Sequence, residues 1–306
     1  MSPSSPDLST LVGSLTLAGP VVLASGTAGY GDELSSYGDL STLGAITTKS
    51  LAAFEWRGNP APRVAPAGQS MINAVGLSGP GVAAWRRDFL PGVTATGATV
   101  VASIWGRSRD EYADAAEAIV GAPIDALEVN ASCPNLESRN AIFANSPEAT
   151  AELVRAARVV GVPIWVKLTT TAPQLLDVVA AALEAGAEAV TVGNTLTAMV
   201  IDVETGRAVL GNRGGGASGE AARPVALRAV YDIRAAFPEL PIIGVGGVAR
   251  TEDALALVMA GANAVGVGTA SFADPRSAWR IQRGVARWLQ RHHKNSLDDV
   301  RGSAHG

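Results

Sequence analysis

Groups able to perform acid–base chemistry at neutral pH are scarce in this 306-residue chain. All three histidines lie at position 292 or beyond, and the one cysteine is Cys133. A thiol, with an ordinary pKa of about 8.5, becomes a base where its surroundings favour the thiolate. Cys133 follows an apolar run and stands between Asn130 and Asn135, whose amides can donate and accept hydrogen bonds. A lone cysteine is more often an inert buried thiol, but this setting makes Cys133 the leading candidate for a catalytic base.

Lysine is nearly absent from the chain, since Lys49, Lys167 and Lys294 stand against 21 arginines. An ammonium is a compact point charge that a planar guanidinium does not replace. Lys49 and Lys167 each lie at the end of an apolar run. Both are therefore candidates for a functional role, and chance is the alternative explanation.

Short apolar, β-branched runs alternate with longer amphipathic segments along the body of the chain. The runs predict eight strands, at 21–25, 45–49, 99–104, 125–131, 163–168, 188–193, 241–245 and 264–268. Helical patterns fall between them, at 109–119, 146–160, 172–185, 223–236, 251–260 and 274–291. Continuous apolar runs are typical of parallel strands buried on both faces, so the pattern predicts an α/β fold, a (β/α)8 TIM barrel. A doubly wound open sheet is the alternative, disfavoured because no G-x-G-x-x-G turn follows the first strand.

Glycines follow the seventh and eighth predicted strands, at Gly246, Gly247 and Gly268. Barrels often hold phosphate there, because glycine lets it approach backbone N–H groups. FMN or a sugar phosphate would fit, whereas tight βα turns alone are the alternative explanation. Two Pro- and Gly-rich segments, 51–80 and 195–222, are expected to lie as long loops over the same mouth of the barrel.

Composition restricts the class of protein. Apolar residues make up 47% of the chain and the net charge is −4, which argues against disorder and against nucleic acid as the main partner. One cysteine excludes an intramolecular disulfide and a four-cysteine cluster within the chain, and no metal site is predicted. With no secretory signal and no apolar stretch long enough for a membrane span, a cytoplasmic protein is expected. We expect one domain over residues 1–306, with 292–306 a mobile tail.

Ten segments together resemble the class 1 dihydroorotate dehydrogenases, flavin-containing barrels that make orotate for pyrimidine biosynthesis. They are LASGTAGYG (23–31), LGAITTKS (43–50), RGNPAPR (57–63), INAVGLSGPG (72–81), EVNASCPN (128–135), VKLT (166–169), GNTLTAMVID (193–202), GGGASG (214–219), PIIGVGGV (241–248) and AVGVGTA (264–270). The resemblance spans about residues 12–290. Its most specific part is N-x-S-C-P-N followed by K-L-T and G-N-T at successive strands.

The resemblance implies FMN across the barrel mouth with dihydroorotate beside it. Cys133 would take the C5 proton of dihydroorotate while hydride leaves C6 for flavin N5, and Lys49 would face both molecules. The residues expected to contact FMN are Ala24, Ser25, Gly26, Lys49, Asn130, Lys167, Ser218, Gly219, Gly246, Gly247, Gly268 and Thr269. Those expected to hold orotate are Lys49, Asn73, Gly76, Leu77, Asn130, Asn135, Asn194 and Thr195.

The subclass follows from further details of the resemblance. Cysteine as the base, and the lack of an N-terminal membrane-associating extension, distinguish the chain from the quinone-linked class. NAVGLSGPGV and GGGASGEAARPVALR are more similar to the NAD-linked, class 1B catalytic subunit. This implies a second subunit carrying FAD and a 2Fe–2S cluster, and a homodimer of the catalytic chain.

Three features depart from the class 1B pattern. After Cys133 the chain reads LESRNAIFA (136–144) where a glycine pair is usual, in the segment expected to cover the site. Ala198 stands for a usual glycine and Glu220 for a usual proline. Two flavin-based alternatives therefore stay open: a dehydrogenase of another dihydropyrimidine such as dihydrouracil, and a flavin-binding protein without catalysis. A phosphate-binding barrel lyase with a Schiff base at Lys49 or Lys167 is the non-redox alternative.

Overall fold

A computed structural model of the chain describes residues 5–132 and 143–306. Eight parallel strands close into a barrel in the order of the sequence. They are β1 (Val21–Leu23), β2 (Ala45–Thr47), β3 (Val100–Ile104), β4 (Ala126–Asn130), β5 (Ile164–Leu168), β6 (Ala189–Val192), β7 (Ile242–Val245) and β8 (Ala264–Val267). The predicted TIM barrel is confirmed, and each predicted strand contains one of these eight.

The strands form where they do because both of their faces are buried. Every residue of β3, β4 and β5 is buried, so each run is apolar with few interruptions. The barrel interior is filled by a layer that includes Trp165, the largest side chain there. An antiparallel hairpin, Thr10–Val12 with Leu15–Leu17, closes the N-terminal end of the barrel by packing Val12 and Leu17 against that layer.

The described residues include nine α-helices. They are α1 (Val82–Asp88), α2 (Leu90–Ala95), α3 (Arg109–Ile119), α4 (Pro147–Ala157), α5 (Leu175–Glu184), α6 (Arg223–Ala236), α7 (Thr251–Met259), α8 (Ala270–Ala273) and α9 (Ser277–Arg291). Short 3-10 helices lie at Ser35–Tyr37, Leu40–Thr42, Phe143–Asn145, Arg158–Val160, Glu220–Ala222 and Ser303–His305. Ser108 and Ser146 cap α3 and α4 by accepting hydrogen bonds from backbone N–H groups. The pattern did not predict α1 and α2.

The segments 51–80 and 195–222 are not simple loops, which corrects part of the prediction. They contribute a four-stranded antiparallel sheet in the order Leu196–Ala198, Gly215–Gly219, Ser70–Asn73, Val64–Ala67. A two-residue turn whose first residue, Gly68, has φ +63° joins the last two strands, as tight hairpins require. A smaller pair, Ile201–Asp202 with Arg207–Ala208, extends from this sheet's loops. The prediction failed here because glycine and proline hide the strand pattern.

The C-terminal residues 292–306 pack against the barrel, where the sequence had predicted a mobile tail. Leu297 and Val300 are buried. The backbone N–H of Gly302 donates to the carbonyl of Val258 over 3.0 Å, and the His305 ring stacks on Tyr231 at 3.9 Å. The segment is thus held by two buried apolar side chains together with this hydrogen bond and ring contact. Separately, no helix in the described ranges is both long enough and apolar enough to cross a bilayer.

Candidate active site

A cavity of about 360 Å³ opens at the C-terminal mouth of the barrel. The ends of the barrel strands form its floor, and the four-stranded sheet forms one wall. It brings together all the predicted site residues that the structure describes, namely Ala24, Ser25, Gly26, Lys49, Asn73, Gly76, Leu77, Asn130, Lys167, Asn194, Thr195, Ser218, Gly219, Gly246, Gly247, Gly268 and Thr269. Cys133, Asn135 and most of the segment 136–144 lie outside the described residues. A cavity of this size is typical of small-molecule and cofactor sites.

Lys167 places a buried charge on the floor of the cavity. It comes from β5, opposite Asn130 of β4, and is only 7% exposed. Its ammonium makes no hydrogen bond or ion pair with residues 5–132 or 143–306. Because an unpaired buried charge is costly, this arrangement favours an anionic or electron-rich group of a ligand above Lys167.

Lys49 supplies a second ammonium, held at the rim of the cavity. Its Nζ donates to the backbone carbonyl of Ser78 and, over 2.9 Å, to the hydroxyl of the same residue. It also lies 5.4 Å from the centre of the Tyr30 ring, within the range of a cation–π contact. Burial, and to a lesser degree the positive charge of Arg63, lowers the pKa of Lys49 to about 8. The group is therefore still largely a cation at neutral pH.

Tyr30 helps to hold the same corner of the cavity. Its hydroxyl donates to the carbonyl of Ser78 over 2.6 Å, so Tyr30 and Lys49 share one acceptor. Burial, with a smaller contribution from Glu33, raises the pKa of Tyr30 to about 12. The hydroxyl therefore stays protonated and remains a donor, which fixes the position of Ser78.

The glycines of the predicted phosphate site have different reasons to be glycine. Gly246 has φ +151° and Gly247 has φ +67°, and a Cβ on either would lie 2.6 Å from a side-chain carbon of α6. The turn after β7 thus requires both glycines whether or not a ligand binds. Gly268 has no such conformation, and the nearest atom to a Cβ there would be 3.6 Å away, on Thr27. At Gly268 the fold would accept a side chain, so a ligand approaching the backbone is the better explanation.

Two consecutive residues of the wall have positive φ, Gly76 at +71° and Leu77 at +58°. A leucine in the left-handed region is strained, and such strain collects at binding sites. Asn73, in the neighbouring strand, donates from its amide to the carbonyl of Gly216 over 3.3 Å. This contact joins both halves of the sheet and leaves the Asn73 oxygen available to a ligand.

These features fit a flavin cofactor that carries a phosphate. A flavin ring is electron-rich along the edge that a buried ammonium such as Lys167 would meet. The open space at Gly268 lies on the eighth strand, where barrels hold a phosphate. Ser218 and Gly219 line the same cavity.

The comparison with known families agrees with this geometry. The profile of the family described as dihydroorotate dehydrogenase matches residues 7–289. The chain belongs to the dihydroorotate dehydrogenase family.

Curated members of the dihydroorotate dehydrogenase family resemble the chain over nearly its whole length. "Dihydroorotate dehydrogenase B (NAD(+)), catalytic subunit" of Desulforudis audaxviator is 43% identical over 296 residues, covering 96% of each chain. The protein of the same name from Trichlorobacter lovleyi is 40% identical over 303 residues, covering 98% of this chain and 99% of the relative. That from Geobacter sulfurreducens is 39% identical over 298 residues, covering 97% and 96%. The resemblance to the class 1B catalytic subunit is therefore confirmed.

Sequence reasoning missed several residues of this candidate site. Ser50 lines the cavity and is 3% exposed, and Ser103 and Glu128 lie fully or nearly buried beneath it. The signal for Glu128 was present, because it is a charged residue within the otherwise apolar run of β4. It alternates with Asn130, so both point into the barrel.

Gly268→Ala should separate the requirements of the fold from those of the ligand. We expect unfolding of the cofactor-free protein to be unchanged, or stabilised by up to about 1 kcal/mol, because the added methyl meets no close atom. FMN should dissociate about tenfold more readily, through loss of close approach to the backbone. Thermal unfolding and FMN fluorescence titration measure the two effects.

Gly247→Ala is the matched control for that experiment. Its positive φ and the 2.6 Å approach to Arg223 predict destabilisation of the cofactor-free protein itself. FMN affinity of Gly268→Ala equal to that of the wild type would contradict the phosphate assignment.

Proposed function

We propose that the chain oxidises dihydroorotate to orotate with FMN as its cofactor, as a step of pyrimidine biosynthesis. The observation that carries the proposal is the buried Lys167, which is 7% exposed and has no hydrogen-bond or ion-pair partner among the described residues. It lies on the floor of a cavity whose rim holds a second ammonium, Lys49. Dihydroorotate carries a carboxylate and an imide, which require a cation and paired donors and acceptors. The cavity presents all of these, and family membership supports the same reaction.

On the cofactor side of the cavity, the residues of the chain would bind the ring and the phosphate of FMN. FMN, when bound, would accept the hydride that leaves C6 of the substrate. Lys167 would stabilise negative charge that develops at the pyrimidine edge of the ring. Gly246, Gly247, Gly268 and Thr269, with Ser218 and Gly219, would hold the phosphate, and Ala24, Ser25 and Gly26 would lie along the ring system.

On the substrate side of the cavity, amide groups and one positive charge would bind dihydroorotate. Lys49 would bind the carboxylate, and Asn73, Asn130, Asn194 and Thr195 would fix the planar edge, with Gly76 and Leu77 against the ring. Holding the reacting carbon in the correct position relative to the flavin supplies much of the rate enhancement in such reactions. Asn135, from outside the described residues, would complete this set.

Cys133 would take the proton from C5. It lies outside the described residues, and the family pattern supports its role. Ser132, directly before it, is 2% exposed and accepts a hydrogen bond from Asn194, which lines the cavity. The thiol would have to lose its proton, giving the thiolate, before it could accept the C5 proton.

We propose in addition that the electrons leave through a second subunit. The curated relatives are named as catalytic subunits of an NAD(+) enzyme, which supports an electron-transfer partner. The resemblance to the NAD-linked subclass implies that this partner carries FAD and a 2Fe–2S cluster, and the single cysteine of this chain means that a four-cysteine cluster would lie in the partner. Two copies of the catalytic chain would form a dimer within the assembly.

An anaerobic half-reaction tests the proposal. The FMN-loaded protein should be yellow and should bleach when dihydroorotate is added. Dihydrouracil, which lacks the carboxylate, should bleach it far more slowly. Faster bleaching with dihydrouracil would transfer the proposal to another dihydropyrimidine. A protein that takes up no flavin, but is inactivated by borohydride together with a sugar phosphate, would replace the proposal by the Schiff-base lyase.

Orotate affinity should depend on pH through Lys49. Lys49 is fully protonated well below its pKa of about 8 and loses its positive charge above that pH. The dissociation constant of orotate should therefore be flat below that pH and rise about tenfold per unit above it, until the pKa of the complex is reached. Orotate-induced changes in the flavin spectrum measure it.

Lys49→Arg is the control for the pH profile. Its guanidinium stays charged throughout the range, so orotate should bind more weakly but without a break near pH 8. A break that persists in this variant would assign the titration to another group.

A further inference from the structure

A series of buried hydrogen bonds begins at the carboxylate of Glu128, inside the barrel below the cavity. The hydroxyl of Ser103 donates to Glu128 Oε1 over 3.1 Å. The hydroxyls of Ser103 and Ser50 lie 2.9 Å apart. The amide nitrogen of Asn130 lies 3.0 Å from the hydroxyl of Ser50. All four residues are at most 5% exposed, so bulk water does not compete for these contacts.

The series continues from Asn130 across the floor of the cavity. The hydroxyl of Ser132 donates to Asn130 Oδ1 over 3.1 Å. Asn194 donates from Nδ2 to the hydroxyl and the carbonyl of Ser132, over 2.9 and 3.1 Å. Its Oδ1 accepts from the backbone N–H of Thr195 over 2.8 Å. We call Glu128, Ser103, Ser50, Asn130, Ser132 and Asn194 the Glu128 network.

The two amides of the network are held by different means. Asn194 contacts a backbone carbonyl and a backbone N–H, whose donor and acceptor roles cannot change, so its amide has one orientation. Among the residues that the structure describes, the Asn130 amide bonds to two hydroxyls, those of Ser50 and Ser132, and a hydroxyl can act as donor or acceptor. The orientation of Asn130 therefore depends on what those hydroxyls do elsewhere.

Glu128 determines the direction of the bonds that lead through Ser103 and Ser50 to the Asn130 nitrogen, because a carboxylate accepts and does not donate. Ser103 gives its proton to Glu128, so Ser50 must supply the proton between the two hydroxyls. Ser50 then has no proton left for Asn130 and accepts from the Asn130 nitrogen. Ser25, 3.3 Å from Ser50, gives its own proton to the Thr48 carbonyl and offers no alternative donor.

We propose that Glu128 is a positioning residue that sets which edge of the Asn130 amide meets the substrate. The proposal deepens the proposed function and rests on it. Asn130 keeps one N–H and one lone pair beyond those used in the network. If the Asn130 amide were reversed, its oxygen would face a hydrogen-bond acceptor of the pyrimidine. Two buried acceptors that face each other without a proton between them are costly.

Glu128→Gln and Ser103→Ala test the proposal by two different routes. A glutamine can donate to Ser103, which allows every bond up to Asn130 to reverse. The alanine keeps the charge of Glu128 but cuts the series. Each single variant should bind orotate about tenfold more weakly, at wild-type FMN content and thermal stability. The double variant should show no further loss, because both changes act through one series.

Thr191→Val is the matched control. Thr191 borders the same small cavity beneath the floor as Glu128 and is 4% exposed, and no described residue hydrogen-bonds to its hydroxyl. Removing that hydroxyl should leave orotate affinity unchanged. The affinity is read from the orotate-induced change in the flavin spectrum, which does not depend on turnover.

Several results would overturn the proposal. Wild-type orotate affinity in the single variants would do so, as would additive losses in the double variant. Weak binding in Glu128→Gln with normal binding in Ser103→Ala would point to a direct effect of the charge instead. If one single variant fails to fold, the orotate affinity of the other single variant still tests the proposal. A wild-type protein that binds no orotate would defeat the proposed function and this inference together.

Discussion

Cys133→Ala is expected to leave FMN bound but to slow reduction of the flavin by dihydroorotate by about 10²-fold or more. That is the usual contribution of a general base. No histidine lies before position 292, so no imidazole in the body of the chain can replace the thiol as the base. Anaerobic stopped-flow absorbance of the flavin band measures the rate, and the visible spectrum of the variant measures bound FMN.

Cys133→Ser separates the loss of the base from the loss of the side chain. A hydroxyl can pass on a proton but is far harder to ionise than a thiol. Its rate should therefore fall between those of the wild type and Cys133→Ala, and should increase more steeply with pH. Reduction of Cys133→Ala at the wild-type rate would remove Cys133 from the reaction.

Lys167→Met should slow the same half-reaction by about 10²-fold, because it removes a buried positive charge from beside the developing negative charge. Methionine fills a similar volume without charge, so the cavity floor should stay packed. The flavin potential should become more negative and FMN should dissociate more readily. A spectroscopic redox titration and the flavin content after gel filtration measure these effects.

Lys294→Met is the matched control, since it makes the same substitution in the docked C-terminal segment, away from the cavity. It should change neither the potential nor the rate. A potential of Lys167→Met equal to that of the wild type would show that the ammonium stabilises something other than reduced flavin.

The barrel could be predicted from the sequence because each of its strands has its own local sequence pattern. Each strand is buried on both faces, so a short apolar run predicts it without knowledge of its neighbours. Helices such as α3 and α4 carry their own start signals in Ser108 and Ser146. The docked C-terminal segment and helices α1 and α2 were missed because short segments carry too few apolar residues to show a period.

The site was readable to a similar degree, for a geometric reason. A closed parallel barrel brings the carboxyl ends of all its strands to one mouth, so Lys49, Asn130, Lys167 and Asn194 had to meet. Chemistry and family pattern then suggested what they bind. The wall of the cavity could not be predicted, because its sheet depends on the pairing of Ser70–Asn73 with Gly215–Gly219, two strands more than a hundred residues apart.

The sequence by itself determined the barrel, the eight strands and the set of polar residues at their ends, since each depends on local periodicity and on the rule of the fold. Only the tertiary structure decided how those residues are held. It distinguished Gly268, which the fold does not require, from Gly247, which it does. It joined Glu128 to Asn130 through Ser103 and Ser50, because such hydrogen bonds depend on atomic distances between strands and leave no periodic trace in the sequence.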